Sequence, residues 1–227
     1  TVRGIAGVSA GEQITAEVTV PDEMSYRVYI YATQDGERVI RDSKYVSSGT
    51  TASFNTDSYD PGLYTVALYA DSDYRGVYPF VVRGLDTDVS APESVVRGDD
   101  LTVSASLSNI EPQLDITNVE MVLVGSDTST RIDATQQGDS YTGTFQTGSL
   151  DLTEYRVYVV AQNNSETPRG DDEPVGLSAP QTVSVTEGDT EETTSQTGNG
   201  GTGGGATDTD EPAQTTVTTS VNSSTHT

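Results

Sequence analysis

The chain has 227 residues and a formal net charge of -24 at pH 7, from 35 Asp and Glu against 11 Lys and Arg. This negative field repels nucleic acid, and no cluster of basic residues is present that would follow a phosphate backbone. The sequence has no Cys, and its one His, His226, lies next to the last residue, so disulfides, Cys/His metal sites and His-based nucleophilic triads are excluded and no enzyme is expected.

Apolar and β-branched residues alternate with polar ones through most of residues 1–187, a period of two that is typical of β-strands. Turn-forming residues such as Asp35-Gly36 and Asp60-Pro61-Gly62 separate the alternating runs. The first half is predicted to contain seven strands: Val2–Val8, Gln13–Val20, Tyr26–Thr33, Arg38–Val46, Thr50–Asn55, Leu63–Ala70 and Val77–Val82. Seven short strands at this spacing predict an all-β fold and, more narrowly, a β-sandwich of immunoglobulin-like type.

The second half repeats the first at nearly constant spacing, which indicates a duplicated domain. Three pairs of segments align: Ala10–Ala16 with Arg97–Val103, Phe54–Thr56 with Phe145–Thr147, and Leu63–Val66 with Glu154–Val157. We therefore predict two tandem immunoglobulin-like β-sandwiches, at residues 1–83 and 84–187, followed by a tail at residues 188–227. The joint near Arg83-Gly84-Leu85 is too short for a flexible linker, so the two domains are expected to be semi-rigid and stacked end to end.

Tyrosines recur at two kinds of position. Tyr64 and Tyr155 each begin the sixth strand of their unit after a tight turn, where sandwich folds place a tyrosine whose hydroxyl bonds to the backbone of a preceding loop. Tyr26, Tyr29 and Tyr31 lie along one predicted strand, so some face the core and others the surface. A carbohydrate-binding platform is an alternative role for the surface tyrosines, but the absence of Trp disfavours it.

Acidic residues gather near the predicted joint. Calcium prefers clustered oxygen ligands, so Asp86, Asp88, Asp99 and Asp100 are the candidate ligands of a calcium site that would stiffen this region. Their spacing does not match the known calcium loop, and a solvated acidic surface is the alternative. No other cofactor is expected. A glycosidase built on paired carboxylates is a further alternative, but it needs a deep cleft, which small sandwiches seldom provide.

Residues 188–227 differ in composition from the rest of the chain. They contain 13 Thr, 4 Ser and 7 Gly, and too few apolar residues to bury a core, so they are predicted to be disordered. Hydroxyl-rich stretches of this kind are typical of glycosylated stalks, and an unmodified terminus is the alternative. Sites for O-linked sugars are predicted at Thr193, Thr194, Thr215, Thr216, Thr218 and Thr219. N-glycosylation sequons begin at Asn163, in a predicted loop, and at Asn222, in the tail.

The basic residues are as informative as the acidic ones. Ten are Arg, and Lys44 is the only Lys. In dilute solution a surface this acidic destabilises the fold by self-repulsion, whereas at molar salt the Debye length falls to about 3 Å and the repulsion is screened. An acidic surface poor in lysine is therefore expected of a protein that works in concentrated salt. The alternative is an ordinary acidic secreted protein.

Two short motifs and the tail resemble a known family. Val8–Thr15 has the pattern V-x-[AS]-G-[ED]-x-[ILV]-T, and Val96–Thr102 is a looser copy. Tandem acidic immunoglobulin-like domains that open in this way, followed by a Thr-rich acidic tail, resemble haloarchaeal cell-surface and S-layer glycoproteins. In that family the tail carries O-linked sugars and precedes a Pro-Gly-Phe sorting signal with a hydrophobic helix. Membrane attachment is thus expected only through an anchor that is not present in this sequence.

The resemblance implies a non-enzymatic structural component of an archaeal cell surface, an S-layer-like glycoprotein of which this chain would be the C-terminal portion. Its expected partners are copies of itself or other surface glycoproteins, and its expected location is extracellular. The alternative is an adhesion or ligand-binding module displayed on a glycosylated stalk. Self-association separates the two, because a lattice subunit assembles with its own copies, whereas a binding module stays monomeric until its ligand is added.

Overall fold

The structure is a computed structural model, and it describes residues 6–17, 25–34, 36–47, 50–70 and 73–188. Every helix or strand assigned in this part of the chain is a β-strand, which confirms the predicted all-β class. Within these ranges no helix has the length and apolar character needed to span a membrane. The chain separates into two units, Thr1–Gly188 and Asp189–Thr227. The second unit lies outside the described residues, so the predicted disorder of the tail stays a prediction.

Residues 6–83, called the first half below, contain seven strands. Their bounds are β1 Ala6–Ser9, β2 Gln13–Glu17, β3 Ser25–Gln34, β4 Glu37–Ser47, β5 Thr51–Asn55, β6 Gly62–Ala70 and β7 Asp73–Arg83. The larger sheet has the order β1-β7-β6-β3-β4, and β2 pairs with β5 in a separate two-stranded sheet. All seven strands predicted from the alternation are present, and the predicted ends at residues 2–5 and 18–20 lie outside the described residues. The last strand begins at Asp73 rather than Val77, because its antiparallel pairing with β6 continues up to the turn.

Residues 84–188, called the second half, contain ten strands in two sheets. Their bounds are β8 Asp86–Ser90, β9 Ser94–Val96, β10 Asp100–Ser108, β11 Ile116–Val124, β12 Ser129–Asp133, β13 Thr135–Gln137, β14 Ser140–Gln146, β15 Glu154–Glu166, β16 Asp172–Leu177 and β17 Gln181–Thr186. The smaller sheet has the order β13-β14-β10-β8. The larger sheet has the order β12-β11-β15-β17-β9, and β16 also pairs with β15.

The two halves share an internal framework. Ile14 pairs with Phe54 across β2 and β5, as Leu101 pairs with Phe145 across β10 and β14. Each half also pairs an early strand in parallel with its last strand, β1 with β7 and β9 with β17. These equivalent pairings support the duplication that the aligned segments indicate.

The predicted tyrosine corners are present in both halves. The Tyr64 hydroxyl donates a hydrogen bond to the carbonyl oxygen of Asp60 at 2.9 Å. The Tyr155 hydroxyl accepts one from the backbone N–H of Asp151, also at 2.9 Å. In each case the tyrosine fixes a loop four positions before it in the chain, which confirms the structural role expected for these two side chains.

Two buried threonines complete the repeated framework. Thr56 follows β5, and its hydroxyl donates to the carbonyl oxygen of Glu12 at 2.7 Å. Thr147 follows β14, and its hydroxyl donates to the carbonyl oxygen of Asp99 at 2.6 Å while it accepts from the N–H of Gly98 at 2.9 Å. Both side chains are almost completely buried. Each threonine therefore forms hydrogen bonds with the backbone of the turn that precedes a strand, β2 in the first half and β10 in the second.

Each half has its own apolar core. The inward residues of the strands supply these cores because alternate residues of a strand face opposite sides of a sheet. The first core contains Tyr26, Val28, Ile30, Val46, Ala52, Phe54, Tyr59, Tyr64, Phe80 and Val82. The second, larger core contains Leu85, Leu101, Val103, Ala105, Val119, Met121, Leu123, Phe145, Tyr155, Val157, Val159, Ala161, Val175, Val183 and Val185.

The joint between the halves is packed on both sides. Gly84 donates its N–H to the carbonyl oxygen of Val175 and accepts a hydrogen bond from the N–H of Glu111, both at 2.9 Å. The next residue, Leu85, is buried in the second core. A Cβ at Gly84 would lie 2.5 Å from Pro61 Cγ, so the close approach of the first half requires glycine here.

A third buried cluster, called the interface cluster below, lies between the halves. Leu63 and Val81 of the first half pack there with Val122, Tyr158 and Leu177 of the second. All five occupy outward positions of the two large sheets, on the side opposite the cores. The contact therefore uses sheet faces as well as the joint, which differs from the end-to-end stacking predicted from the short linker. The physical reason is that these outward positions are apolar and gain from being covered.

Candidate functional site

The outer face of the large sheet in the first half carries a continuous group of tyrosines. β3 alternates, so that Tyr26, Val28 and Ile30 are buried in the core and the residues between them face outward. Cross-strand pairing places outward residues of β4, β6 and β7 beside them. We define the tyrosine face as these outward residues: Arg27, Tyr29, Tyr31, Ser43, Tyr45, Tyr69 and Tyr74.

The rings of the tyrosine face hold one another in place. Tyr29 stacks on Tyr31 with ring centroids 5.7 Å apart, and the edge of its ring meets Tyr69 at 6.0 Å. Tyr69 in turn meets Tyr74 edge to face at 5.3 Å. The hydroxyls of Tyr31 and Tyr74 are hydrogen-bonded at 3.0 Å. These are the offset and edge-to-face geometries that aromatic rings prefer, so the arrangement is set without a ligand.

Arg27 connects two strands of the tyrosine face. Its guanidinium carbon lies 5.0 Å from the ring centroid of Tyr29 and 4.8 Å from that of Tyr45. Its Nε and Nη2 donate to the hydroxyl of Ser43, and its Nη1 donates to the hydroxyl of Tyr45. The guanidinium therefore makes its cation–π contacts and these hydrogen bonds within the protein, and it holds the rings of Tyr29 and Tyr45 in place.

The tyrosine face is exposed, and none of its seven residues is acidic. The carboxylates of Asp42 and Asp73 border it, where they accept hydrogen bonds from the backbone N–H groups of Ser43 and Tyr74. Tyr45 is 75% exposed and Tyr74 is 52% exposed, so both rings are open to solvent. The whole chain has 35 Asp and Glu, which makes a face without acidic side chains unusual for this molecule. Burial raises the pKa of the Tyr31 hydroxyl to about 12, and its hydrogen bond with Tyr74 adds to the rise. The hydroxyl of Tyr31 is therefore neutral at ordinary pH.

A cleft between the two halves adjoins the tyrosine face. Its volume is about 460 Å³, and the interface cluster forms its apolar floor. Thr65, which lines the cleft, is the cross-strand neighbour of Tyr31. The outer face of the sheet is thus one continuous surface that begins with exposed tyrosines and ends under the second half.

The rim of the cleft is polar. Arg131 Nη1 lies 3.6 Å from Glu120 Oε2, an ion pair without a hydrogen bond because the distance is too long for one. Arg38 from the first half and Arg169 from the second also line the cleft. Asp171 and Asp172 line it as well, so guanidinium donors and carboxylate acceptors are both present at this opening.

Glu173 is the only charged side chain in the buried class among the described residues, with 8% exposure. Its Oε1 accepts a hydrogen bond from the N–H of Leu63, in the other half, at 2.9 Å. A Cβ at position 62 would lie 2.8 Å from that oxygen, so the carboxyl group fits here because residue 62 is glycine. Burial raises the pKa of Glu173, and the hydrogen bond from Leu63 opposes the rise.

The four predicted calcium ligands do not come together. Asp86 pairs with Ser108 at one end of β10, whereas Asp100 begins that strand at the other end. Nine residues of strand separate these ends by about 25 Å. Asp88 lies with Asp86 on β8, and Asp99 lies beside Asp100. The structure therefore does not bring all four candidate carboxylates together at one place.

The side chains that donate hydrogen bonds to Asp86 and Asp100 are neutral amides. Asp86 accepts a hydrogen bond from Asn109 Nδ2, and Asp100 accepts one from Gln146 Nε2, both at 2.6 Å. In the part of the chain that the structure describes, no three His, Cys, Asp or Glu side chains are grouped so as to hold a metal ion. Calcium binding by either pair of aspartates alone stays a prediction.

Asn163 lies in a strand and not in the predicted loop. It belongs to the long strand β15, where it pairs with Ile116 on one side and Glu173 on the other. The strand continues past it because the hairpin with β16 extends as far as Glu166. Its side chain is half-buried, and its Oδ1 accepts a hydrogen bond from the N–H of Ser165 at 3.0 Å. Modification of Asn163 stays a prediction.

The remaining predicted modification sites lie outside the described residues. They are Asn222 and the threonines Thr193, Thr194, Thr215, Thr216, Thr218 and Thr219. The tyrosine face itself was only partly foreseen from the sequence. The alternation of β3 showed that some tyrosines face outward, but the neighbours from β4, β6 and β7 depend on strand register, which one sequence does not supply.

Comparison with known proteins identifies no family for this chain. No protein-family model matches it, and no curated protein matches it. Among solved structures, it is similar to a red sea bream transglutaminase with a TM-score of 0.34 and 13% sequence identity. The similarity covers 82% of this chain but only 30% of the transglutaminase chain. A likeness this weak carries no argument about function.

Proposed function

We propose that this chain is a non-enzymatic structural component of an archaeal cell surface and belongs to an S-layer-like glycoprotein. The observation that carries the proposal is the packing of two repeated sandwich halves through the joint at Gly84 and the interface cluster. Repeats fastened in this way resist separation, as a protein coat requires. They do so without a disulfide, because the chain has no Cys.

The residue chemistry supports the non-enzymatic part of the proposal. With no Cys and with His226 as the one His, a catalytic base would have to be a carboxylate. Glycosidases use two carboxylates placed on either side of the bond that they cleave. Glu120, Asp171 and Asp172 line the cleft, and Glu120 is engaged in an ion pair with Arg131. An acid held in an ion pair with arginine is a poor general acid, because the cation favours its ionised form.

Composition supports the location and the environment. The net charge of -24 and the single Lys44 suit a protein in concentrated salt, and the Thr-rich residues 188–227 suit a glycosylated spacer on the outside of a cell. The partners that fit this role are copies of the same chain or other surface glycoproteins. Intact mass of the protein from its native host tests the spacer, and a mass equal to the bare polypeptide contradicts it.

Sedimentation velocity of the full chain in about 2 M NaCl tests the structural role, because salt at this level screens the carboxylates. The expected result is an average mass that rises with protein concentration, as for a subunit that assembles with its own copies. A species that stays monomeric at every concentration contradicts the role as a coat subunit.

The second candidate function is adhesion or ligand binding by a module displayed on a glycosylated stalk. The tyrosine face favours it, because exposed aromatic residues beside one arginine have the composition of binding surfaces. The adjoining cleft favours it as well, since a concave, mostly apolar site with a few polar groups at its edge is typical of ligand sites.

A further inference from the structure

We propose that the tyrosine face binds the sugar ring of a neutral glycan. In this complex a pyranose stacks on an exposed tyrosine, and its hydroxyls form hydrogen bonds with the hydroxyls around it. The proposal deepens the second candidate function, ligand binding, and rests on it. It does not depend on whether the chain is also a coat subunit.

The tyrosine face is already ordered for a rigid ligand. Tyr29, Tyr31, Tyr69 and Tyr74 are connected through ring contacts of 5.3 to 6.0 Å and through one hydroxyl–hydroxyl bond. Arg27 fixes the remaining side chains from β4. A surface that does not have to reorganise loses little entropy when it binds, which matters for sugars because their contacts are individually weak.

The charges on the tyrosine face exclude strongly charged ligands. A cationic ligand would be repelled by Arg27, which already lies over the rings of Tyr29 and Tyr45. The bordering carboxylate of Asp73 already accepts a hydrogen bond from the backbone N–H of Tyr74. An anionic ligand would be attracted by Arg27, but three of its N–H groups already donate to Ser43 and Tyr45, and the net charge of -24 on the chain repels anions. A neutral ligand meets neither form of repulsion.

The remaining polar groups fit a polyol. The hydroxyls of Tyr31, Ser43, Tyr45 and Tyr74 both donate and accept hydrogen bonds, as do the hydroxyls of a sugar. A wholly apolar ligand such as a lipid chain would leave these groups without partners and is disfavoured. A pyranose offers an apolar face of C–H groups to a ring and hydroxyls at its edge, so it meets both requirements.

Two rings are open enough to receive a sugar. Tyr45 is 75% exposed and Tyr74 is 52% exposed, and they lie on opposite sides of the inner tyrosines, in β4 and β7. A sugar stacked on Tyr74 reaches the hydroxyl of Tyr31, which lies 3.0 Å from the hydroxyl of Tyr74. Tyr74 is therefore the principal stacking position.

The chain supplies a matched control in Tyr78. It is 54% exposed, nearly the same as Tyr74, and it belongs to the same strand, β7. Tyr78 pairs with Val66, which packs against the first core, so it lies on the opposite side of the sheet from the tyrosine face. Removing either ring takes away a similar exposed aromatic side chain, but only Tyr74 lies at the proposed site.

The test is binding of the full chain, in molar NaCl, to a panel of neutral hexose, pentose and N-acetylhexosamine oligosaccharides. A uronic-acid oligosaccharide and choline are the charged comparators. Saturation-transfer NMR identifies the sugars that bind, and calorimetry gives their Kd. Y74A is expected to raise the Kd of the best neutral sugar about tenfold, whereas Y78A leaves it within about twofold. Y74F, which keeps the ring, is expected to lose less than Y74A.

Four results would overturn the proposal. One is that no neutral sugar of the panel binds to the folded wild-type chain. Another is that choline or the uronic acid binds more tightly than every neutral sugar. The third is that Y74A and Y78A change the Kd equally. The fourth is that Y74A abolishes self-association in the absence of sugar, which identifies a second copy as the occupant. The sedimentation and mass tests of the surface role use the wild-type chain without sugar, so the two failures are distinguishable.

Discussion

The two halves of this molecule are alike inside and different outside. Inside, Phe54 and Phe145 occupy equivalent strand pairs, and the threonine that follows each of them is buried in the same way. The corner tyrosines, Tyr64 and Tyr155, bond to equivalent loops. These positions hold the turns and strand pairs of the fold, so any working copy of the sandwich has to satisfy them.

The outward faces of the large sheets have diverged. In the first half this face carries exposed tyrosines and Arg27, and in the second half it carries Val122 and Tyr158, which are buried against the first half. The part of the first outer face that carries the tyrosines is therefore available to a partner outside the molecule. The other part of that face, at Leu63 and Val81, packs against the outer face of the second half and holds the molecule together. Positions that are repeated in both halves are therefore those that the fold requires, whereas positions that have diverged reflect the separate role of each half.

The largest change in stability is expected from the salt concentration. A salt series tests whether the halves, which share an acidic surface, both need screening of their charges in order to fold. We expect the chain to be folded in about 2 M NaCl and largely unfolded in about 0.05 M, because its net charge of -24 repels itself when the Debye length is long. Circular dichroism and thermal melting across a salt series measure this. Equal thermal midpoints at both concentrations would contradict the adaptation to salt and return the chain to the class of ordinary acidic proteins.

G84A is expected to weaken the packing at the joint between the halves. A Cβ there would overlap Pro61 and the side chain of Leu114, so the variant should lose up to about 3 kcal/mol in the free energy of unfolding. G148A is the matched control, because a Cβ at Gly148 meets nothing within 4 Å. Thermal melting compares the two variants. If G84A is as stable as G148A, the joint is not packed as described.

The buried threonines test whether the inner framework is equivalent in the two halves. T56V and T147V keep the shape of the side chain but remove its hydroxyl, and each should destabilise the chain because a hydrogen bond from a buried side chain is lost. The carbonyl of Glu12 keeps a bond from the N–H of Thr56 in T56V. T147V should cost about 2 kcal/mol and T56V about 1 kcal/mol, since Thr147 also accepts from the N–H of Gly98. Denaturant melts measure both. The reverse order would show that the two turns are not equivalent.

Glu173 gives the smallest effect and tests the contact between the halves. Burial raises the pKa of Glu173 above the ordinary value of 4.5, because the folded state favours the neutral carboxyl group. The stability that the neutral group contributes is complete below pH 4.5 and is lost as the pH rises through the raised pKa. E173Q keeps an oxygen for the N–H of Leu63 but cannot ionise. The stability of E173Q relative to the wild type should therefore increase as the pH rises through this range. A difference that does not change with pH contradicts the burial of the carboxyl group.

The strands and the duplication were predictable because both are local patterns. Alternation along the chain places β3 and its neighbours within a few residues, and the repeat of Phe54 and Phe145 shows equivalent strands without any knowledge of register. The tyrosine corners follow from position in the sandwich alone. These features need only the order of residues.

The features that the sequence does not predict depend on pairing between distant strands. Asp86 and Asp100 are close to the joint in sequence, yet the antiparallel pairing of β8 with β10 places them at opposite ends of a strand. Asn163 was assigned to a loop because the extension of the β15–β16 hairpin is not visible in local composition. The tyrosine face has the same origin, since its rings come from four strands whose register had to be known.

The division of roles between the two outer faces is tested most directly by an NMR titration. The ring resonances of the 12 tyrosines are followed while the best neutral sugar is added in molar salt. If the outer face of the first half is the binding surface, the shifts should occur at Tyr31, Tyr45 and Tyr74 and be absent at the buried Tyr155 and Tyr158 of the second half. Shifts confined to the second half, or spread evenly over both halves, would contradict the division of roles between the two outer faces.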